Sequence, residues 1–296
     1  MPIKEIIKKV CCLYYIQKLR DWHIVIGIAI LVAAVYGQTI AYSFVWDDHR
    51  LIENNPFVVE EQNISELWSS ALSENSIWMY RPLVIHSFRL NMSITSKPWI
   101  FHLVNVMIHI VASLLVFLLA RRLGASLIIA GFASIAFAVY SPNTEPVAWI
   151  SGRADLMLGC GILIALIAIY PNRTMTDSNE RLVTNNKIRQ SILRAIFLAI
   201  GLFVALFSKE IAIPVVFALI LVILMVDYKS RSEKITMLVT ALMSLIVLIL
   251  SRIYALNGLH LFSKVLTPVQ SPHPKVLTPV RFLCKVLTPV RFLRFL

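Results

Sequence analysis

Charge is what this chain has least of. Only 15% of its 296 residues are Asp, Glu, Lys or Arg, against about 25% in soluble domains. That shortage, beside 58% hydrophobic residues in repeated long runs, excludes an ordinary soluble domain and reads as an all-α polytopic membrane protein. Acidic residues are the scarcer sign, 16 against 28 Lys and Arg. The net charge of +12 still does not mark a nucleic-acid binder. The basic residues fall in short patches between apolar runs, and aromatics do not interleave with them in a groove-like pattern. Cysteine is sparse too: Cys11, Cys12, Cys160 and Cys284. No two stand at a zinc-ligand spacing and the vicinal pair is poor disulfide geometry, so no cysteine chemistry is indicated. A small-x-small cleavage site is missing after the first apolar run, which is too long for a signal-peptide core and reads as a retained anchor.

What is present divides the chain in three. Residues 1–22 form a basic, partly amphipathic segment with Lys4, Lys8, Lys9, Lys18 and Arg20, suited to an inner membrane surface. Residues 23–255 carry about seven predicted spans: 23–45, 99–120, 125–139, 155–170, 191–207, 211–226 and 235–250. The large first loop, 46–99, alternates Glu with Trp, Leu and Ile, a pattern for short helices lying on the surface. Residues 171–190 read as a hydrophilic loop. Residues 256–296 are a low-complexity tail in which Lys-Val-Leu-Thr-Pro-Val recurs at 264–269, 275–280 and 285–290, with prolines that break any helix.

Orientation follows from the basic residues. With the N-terminus inside, fifteen Lys and Arg lie in inner segments and seven (Arg50, Arg81, Arg89, Lys97, Arg153, Lys209 and Arg252) in outer ones. The asymmetry predicts a cytoplasmic N-terminus, in a plasma membrane of a prokaryote or an endoplasmic reticulum of a eukaryote.

The first span runs out at Phe44-Val45-Trp46-Asp47-Asp48-His49-Arg50. An Asp at a bilayer centre costs roughly 2.5–3.5 kcal/mol on insertion scales, so this cluster belongs at the interface. On the predicted topology Asp47, Asp48, Arg81, Glu145, Arg153, Asp155, Lys209, Glu210 and Arg252 share the outer side. Two readings stand: a polar site, or ion pairs that only hold helix ends together. His102 and His109 lie seven apart on the second span with Asn105 between, a stripe that faces such a site or makes helix–helix hydrogen bonds.

Five motifs carry a resemblance. Phe44-Val45-Trp46-Asp47-Asp48 with Asn54-Asn55 comes first, then Tyr80-Arg81-Pro82-Leu83. Phe101-His102-Leu103-Val104-Asn105-Val106 with His109 is next, then Glu145-Pro146-Val147-Ala148-Trp149-Ile150-Ser151-Gly152-Arg153-Ala154-Asp155-Leu156, and Ser208-Lys209-Glu210. In order and spacing over about residues 23–255 the chain resembles the membrane part of the O-mannosyltransferases bearing tetratricopeptide repeats, within the glycosyltransferase C superfamily. It departs from them at Tyr140-Ser141, where His-Pro is common, and at Asn143, where another His is common. The resemblance also implies further spans and a repeat domain, which makes a truncated relative the expectation here.

The resemblance implies a polyprenyl or dolichyl phosphate sugar as donor, mannose in the best-known members, a protein hydroxyl as acceptor, and membrane lipids around both. A hydroxyl is a weak nucleophile and needs a carboxylate to take its proton; Asp47 and Asp48 are the candidates. The leaving lipid phosphate needs cationic donors; Arg81, Arg153, Lys209 and Arg252 are the candidates. Glu145, Asp155, Glu210 and His102 complete the polar face. No cofactor is indicated with certainty; an Asp-Asp pair serves a scheme with a divalent metal or without one, and the metal stays open. The alternative function is a non-catalytic membrane scaffold or lipid-binding relative. A transporter fits poorly, because the charges gather at span ends and no half-repeat is visible.

Overall fold

The computed structural model describes residues 21–60, 67–68, 80–171, 180–228 and 230–265, without the side chains of 180–188 and 256–265. The basic segment 1–20, most of the Glu-rich part of the first loop (with the Asn63-Ile-Ser65 sequon), Cys11, Cys12 and Cys284, and the repeats beyond 265 lie outside the described residues. Contacts divide the chain into 1–259 and 260–296. Of the second unit only 260–265, helical, is described.

The described part of the first unit is helical. Helix α1 (Asp21–Tyr36) runs into a 3-10 turn (Gly37–Ala41), and a turn of π-helix (His49–Glu53) and α2 (Pro56–Val59) follow. Helix α3 (Pro82–Ile94) and α4 (Pro98–Arg122) each start on a proline, whose missing N–H is no loss at a first turn. After α4, Gly124 at φ 93° turns the chain: its N–H meets the Arg121 carbonyl and that of Ala125 meets Ala120, the closure a left-handed glycine permits. Ser126 then caps α5 (Leu127–Ala138) through Ile129 N–H. A 53° bend separates α5 from Ser141–Ala148, which includes α6 (Thr144–Ala148). Helices α7 (Arg153–Ile169), α8 (Glu180–Leu206), α9 (Ala212–Met225) and α10 (Arg231–Val265) complete the set.

Five helical segments are long and apolar enough to cross a membrane: Asp21–Ala41, Pro98–Arg122, Ile150–Ile169, Arg189–Leu206 and Arg231–Ala255. The bent pair α5–α6 makes a sixth if taken as one span. The chain is thus an all-α polytopic membrane protein, with five or six spans by that measure among the described residues, a count that does not reach the seven expected. The difference is α9: its 14 residues extend about 21 Å at 1.5 Å per residue, short of a hydrocarbon core of about 30 Å. A second correction concerns 171–190. The helix begins at Glu180, because the sequence from there to Gln190 holds no Gly or Pro and lets the span's helix continue past its apolar part.

Polar contacts sort the helix ends into two groups. One gathers residues 42–60, 80–101, 141–155, 207–211 and 252. In the other, Arg122 Nε reaches the Tyr170 carbonyl (2.8 Å), Arg194 Nε the Ala168 carbonyl (2.8 Å), and Tyr228 Oη the Ile169 carbonyl (3.0 Å). Those carbonyls end α7 and lack intrahelical partners, so the three side chains satisfy them. Arg194 also pairs with Glu233 and lies over the Tyr228 ring. Burial pushes the Tyr228 phenol up to about 12, with Arg194 pulling the other way.

Helices α7 and α8 touch backbone to backbone. A Cβ on Gly161 would stand 2.6 Å from the Gly201 carbonyl oxygen, and one on Gly201 would stand 2.7 Å from that of Gly161. Each glycine is followed four residues on by a buried alanine, Ala165 and Ala205, the small-xxx-small arrangement that lets membrane helices approach closely. This rigid pair carries Arg153 and Asp155 at one terminus and Ser208-Lys209-Glu210 at the same end.

Candidate functional site

The stretch Phe44–Arg50 folds as a tight turn around Asp48. Val45 N–H donates to Asp48 Oδ2 (3.1 Å), and Asp48 N–H donates to the Val45 carbonyl (3.0 Å). Between them Trp46 is held at φ 50° and is 81% exposed. A bulky residue in the left-handed region costs on the order of 1–3 kcal/mol and persists only where its surroundings enforce it. Asp48 itself is fully buried. Its Oδ1 accepts from both Ser151 N–H (2.9 Å) and Ser151 Oγ (2.5 Å), so it ties the first span's end to the turn before α7. Asp47 points outward, and its nearest cation is Arg50 at 3.8 Å. The two neighbouring carboxylates therefore face different surroundings. Among the described residues no three His, Cys, Asp or Glu side chains come together as a metal set.

Arg153 is also fully buried. Its Nε donates to Asn105 Oδ1 (2.7 Å), Nη1 to Asn91 Oδ1 (2.6 Å) and Ser87 Oγ (3.1 Å), and Nη2 to the Phe101 carbonyl (2.8 Å). The guanidinium also lies 4.6 Å from the Phe88 ring centroid. Four of its five N–H donors are engaged within the protein, so the geometry makes it a clasp of α3, α4 and α7. The Asn91-Met-Ser93 sequon is closed for the same reason: Asn91 is buried and bound to Arg153.

Asn105 holds the other side. Its Nδ2 donates to the carbonyls of Trp149 (3.1 Å) and Ile150 (3.2 Å). His109 Nε2 lies 2.9 Å from the Ala138 carbonyl, where α5 breaks, and Asn143 Nδ2 donates to the Phe137 carbonyl (2.7 Å). The α4 stripe thus makes helix–helix hydrogen bonds that fix the bend. His102 is buried on the same face, edge-on to Tyr42 at 6.1 Å.

The remaining charged groups meet beside α3. Glu210 accepts from Arg81 Nη2 (2.8 Å) and Nε (3.0 Å) and from Tyr80 N–H (3.0 Å), and Arg252 Nη2 stands 3.5 Å from its Oε1. Lys209 Nζ donates to Asp155 Oδ1 at 2.5 Å. Among the described residues, Arg81, Arg252 and Lys209 stand with Glu210 and Asp155. Tyr80 Oη donates to the Trp68 carbonyl (2.9 Å), and burial pushes the Tyr80 phenol up while Arg252 pulls it down. Directly adjacent, an apolar groove of about 540 Å³ lies between α8 and α10, lined by Phe203, Phe207, Met243 and Val247 among others. Phe207 joins the two features: it contacts Tyr80 and Trp68, and its carbonyl accepts from Leu83 N–H.

A second groove, of about 520 Å³, opens at the same end beside the Asp48 turn. Tyr42, Trp46, Pro142, Thr144, Glu145 and Trp149 are among its lining residues.

The chain is similar to protein O-mannosyl-transferases. It is 38% identical to Protein O-mannosyl-transferase Tmtc1 of Drosophila melanogaster over 149 residues, which is 48% of this chain and 17% of that protein. It is 35% identical to Protein O-mannosyl-transferase F38B6.6 of Caenorhabditis elegans over 167 residues, 53% of this chain and 24% of that protein. The human Protein O-mannosyl-transferase TMTC1 is 34% identical over 149 residues, 47% and 17%. The similarity spans between about a sixth and a quarter of these relatives' length. No family model matches the chain, and no solved structure matches it significantly. The relatives make this a glycosyltransferase-like membrane protein.

Of the residues expected at an O-mannosyltransferase site, the structure brings together Arg81, Glu210 and Arg252, and pairs Lys209 with Asp155. Glu145 and Trp46 line the second groove, and Asp47 follows Trp46 in the chain. Asp48 and Arg153 are buried within the protein. Ser151, Asn91 and Ser87 escaped sequence reasoning, since small polar residues near a span end carry no signal until a buried charge is seen to need them.

Proposed function

We infer that this end of the protein binds a polyprenyl or dolichyl phosphate sugar, mannose by analogy with the relatives, and presents it for transfer to a hydroxyl of an acceptor protein. The observation that carries this reading is the contiguity of a cationic cluster with a lipid-facing apolar groove through Phe207. A phosphate attached to a long isoprenoid needs both at once: hydrogen-bond donors of positive charge for the head and uninterrupted apolar surface for the tail. In this reading Lys209, Arg81 and Arg252 hold the phosphate, Glu210 and Asp155 keep those cations in place before the donor arrives, and Asp47 takes the acceptor proton.

Lys209→Ala is the clean test, because its pair with Asp155 is partly solvent-accessible and such a pair contributes little to the fold. In nanodiscs it is expected to weaken polyprenyl-phosphate mannose binding about tenfold or more, the scale of a lost hydrogen bond to a charged group, with an unaltered melting temperature. Unchanged binding would favour the scaffold alternative.

The reading also places this end on the outer or lumenal side, following the basic-residue asymmetry. A cysteine at Arg189, at the opposite end, is expected to resist membrane-impermeant thiol reagents in intact cells or sealed vesicles, while one at Thr95 reacts. Labelling at 189 alone reverses the orientation.

A further inference from the structure

Resting on the donor reading above, we propose that the second groove is a hexose subsite, with Trp46 and Trp149 as its apolar walls and Glu145 as the acceptor of sugar hydroxyl protons. Three observations carry it. The two indoles stand 6.2 Å apart at 76° to one another, which gives one ring a floor and a wall. A pyranose has the matching character, a C–H face for an aromatic surface and a rim of hydroxyls for polar groups. Trp46 is held at a positive φ by the Asp48 turn and left exposed; a strained, solvent-facing tryptophan is a poor choice unless something covers it. Glu145 is exposed and makes no side-chain hydrogen bond or ion pair among the described residues, unlike Asp155 and Glu210. Its oxygens are free to accept.

The lining favours a sugar over a peptide. Residues 141–148 form a 3-10 turn and a helical turn, whose backbone groups are engaged locally and offer no strand edge for an extended chain. The volume of about 520 Å³ falls in the range of small-ligand sites, roughly 300–1,000 Å³. Reach also fits. Trp149 and Asp155 are six residues apart through 3-10 and α-helical turns, within about 15 Å of each other at the rises those turns allow. One sugar ring and its phosphate, met by the Lys209 side chain, spans that interval.

The test compares two lipids of equal chain length, polyprenyl-phosphate mannose and bare polyprenyl phosphate, titrated onto the protein in nanodiscs. The wild type is expected to bind the sugar-bearing lipid at least fivefold more tightly. Trp46→Ala and Glu145→Gln should each bring that ratio to about one while bare phosphate binds as before; Glu145→Gln keeps shape and guards against a folding defect at Trp46. A wild-type ratio of one overturns the subsite and leaves the donor reading intact. Binding of neither lipid overturns the donor reading, and saturation-transfer NMR with methyl α-mannoside then decides the groove alone: transfer lost in both variants supports it, and no transfer in the wild type overturns it. A Ser/Thr peptide that quenches Trp46 where the mannoside does not makes the groove an acceptor site and overturns it as well. Enhancement that a mannosylated peptide produces and the mannosyl lipid does not assigns the sugar to a product instead of the donor, and overturns the donor assignment.

Discussion

Arg153→Ala is expected to destabilise the protein by about 3–5 kcal/mol, the cost of leaving several buried acceptors without a donor at about 1–3 kcal/mol each, read as a large fall in thermal unfolding temperature in detergent. The size comes from what is left behind. Asn105 Oδ1, Asn91 Oδ1 and the Phe101 carbonyl each lose a donor within 2.8 Å, in a part of the protein where water does not replace it. Arg153→Lys should recover little, because one ammonium cannot reach acceptors on both α3 and α4 from the directions a planar fork serves. The readout separates this role from phosphate binding. A variant that stays folded and loses only lipid affinity would place Arg153 with Lys209 instead.

The same residues show what could be read beforehand. The spans were legible because a charge in hydrocarbon is costly, so long uncharged runs have one interpretation. The bend after Ala138 was not legible, since 125–139 reads as one span, and the α4 stripe through Asn105 and His109 was legible as a polar face with helix–helix contacts as one of two readings. The charge of Asp48 and Arg153 was equally plain, and their placement near one end followed from alternating spans. Their burial was not. Whether a carboxylate at a span end faces water or protein depends on whether another loop supplies donors, here Ser151, 103 residues away in sequence. Likewise Gly161 and Gly201 look like ordinary span residues until the two helices are seen in contact. The pairing of Arg81 and Arg252 on one Glu210 joins three separate segments, and no local pattern encodes such a meeting.

Asp47 and Asp48 are adjacent in sequence, and their substitution is expected to separate them completely. Asp48→Asn should act on the fold. The amide keeps one acceptor oxygen but turns an N–H₂ toward a donor, either Val45 N–H or the Ser151 pair, so at least one charge-assisted hydrogen bond is replaced by a clash of donors. About 1.5–3 kcal/mol is at stake for each such bond, the Trp46 turn loses what holds it, and melting temperature and any activity fall together. Asp47→Asn should act on chemistry alone. Its side chain is half exposed and 3.8 Å from Arg50, an exposed pair of little weight in stability. It is also the exposed carboxylate that follows Trp46, a lining residue of the second groove. If it takes the acceptor proton, its amide should reduce mannosyl transfer from the lipid donor by about 100-fold or more, the scale of a lost general base, with donor affinity and melting temperature near wild type. Near-full transfer by Asp47→Asn would move the base to Glu145, which lines the second groove, and Glu145→Gln would then show the loss in turnover.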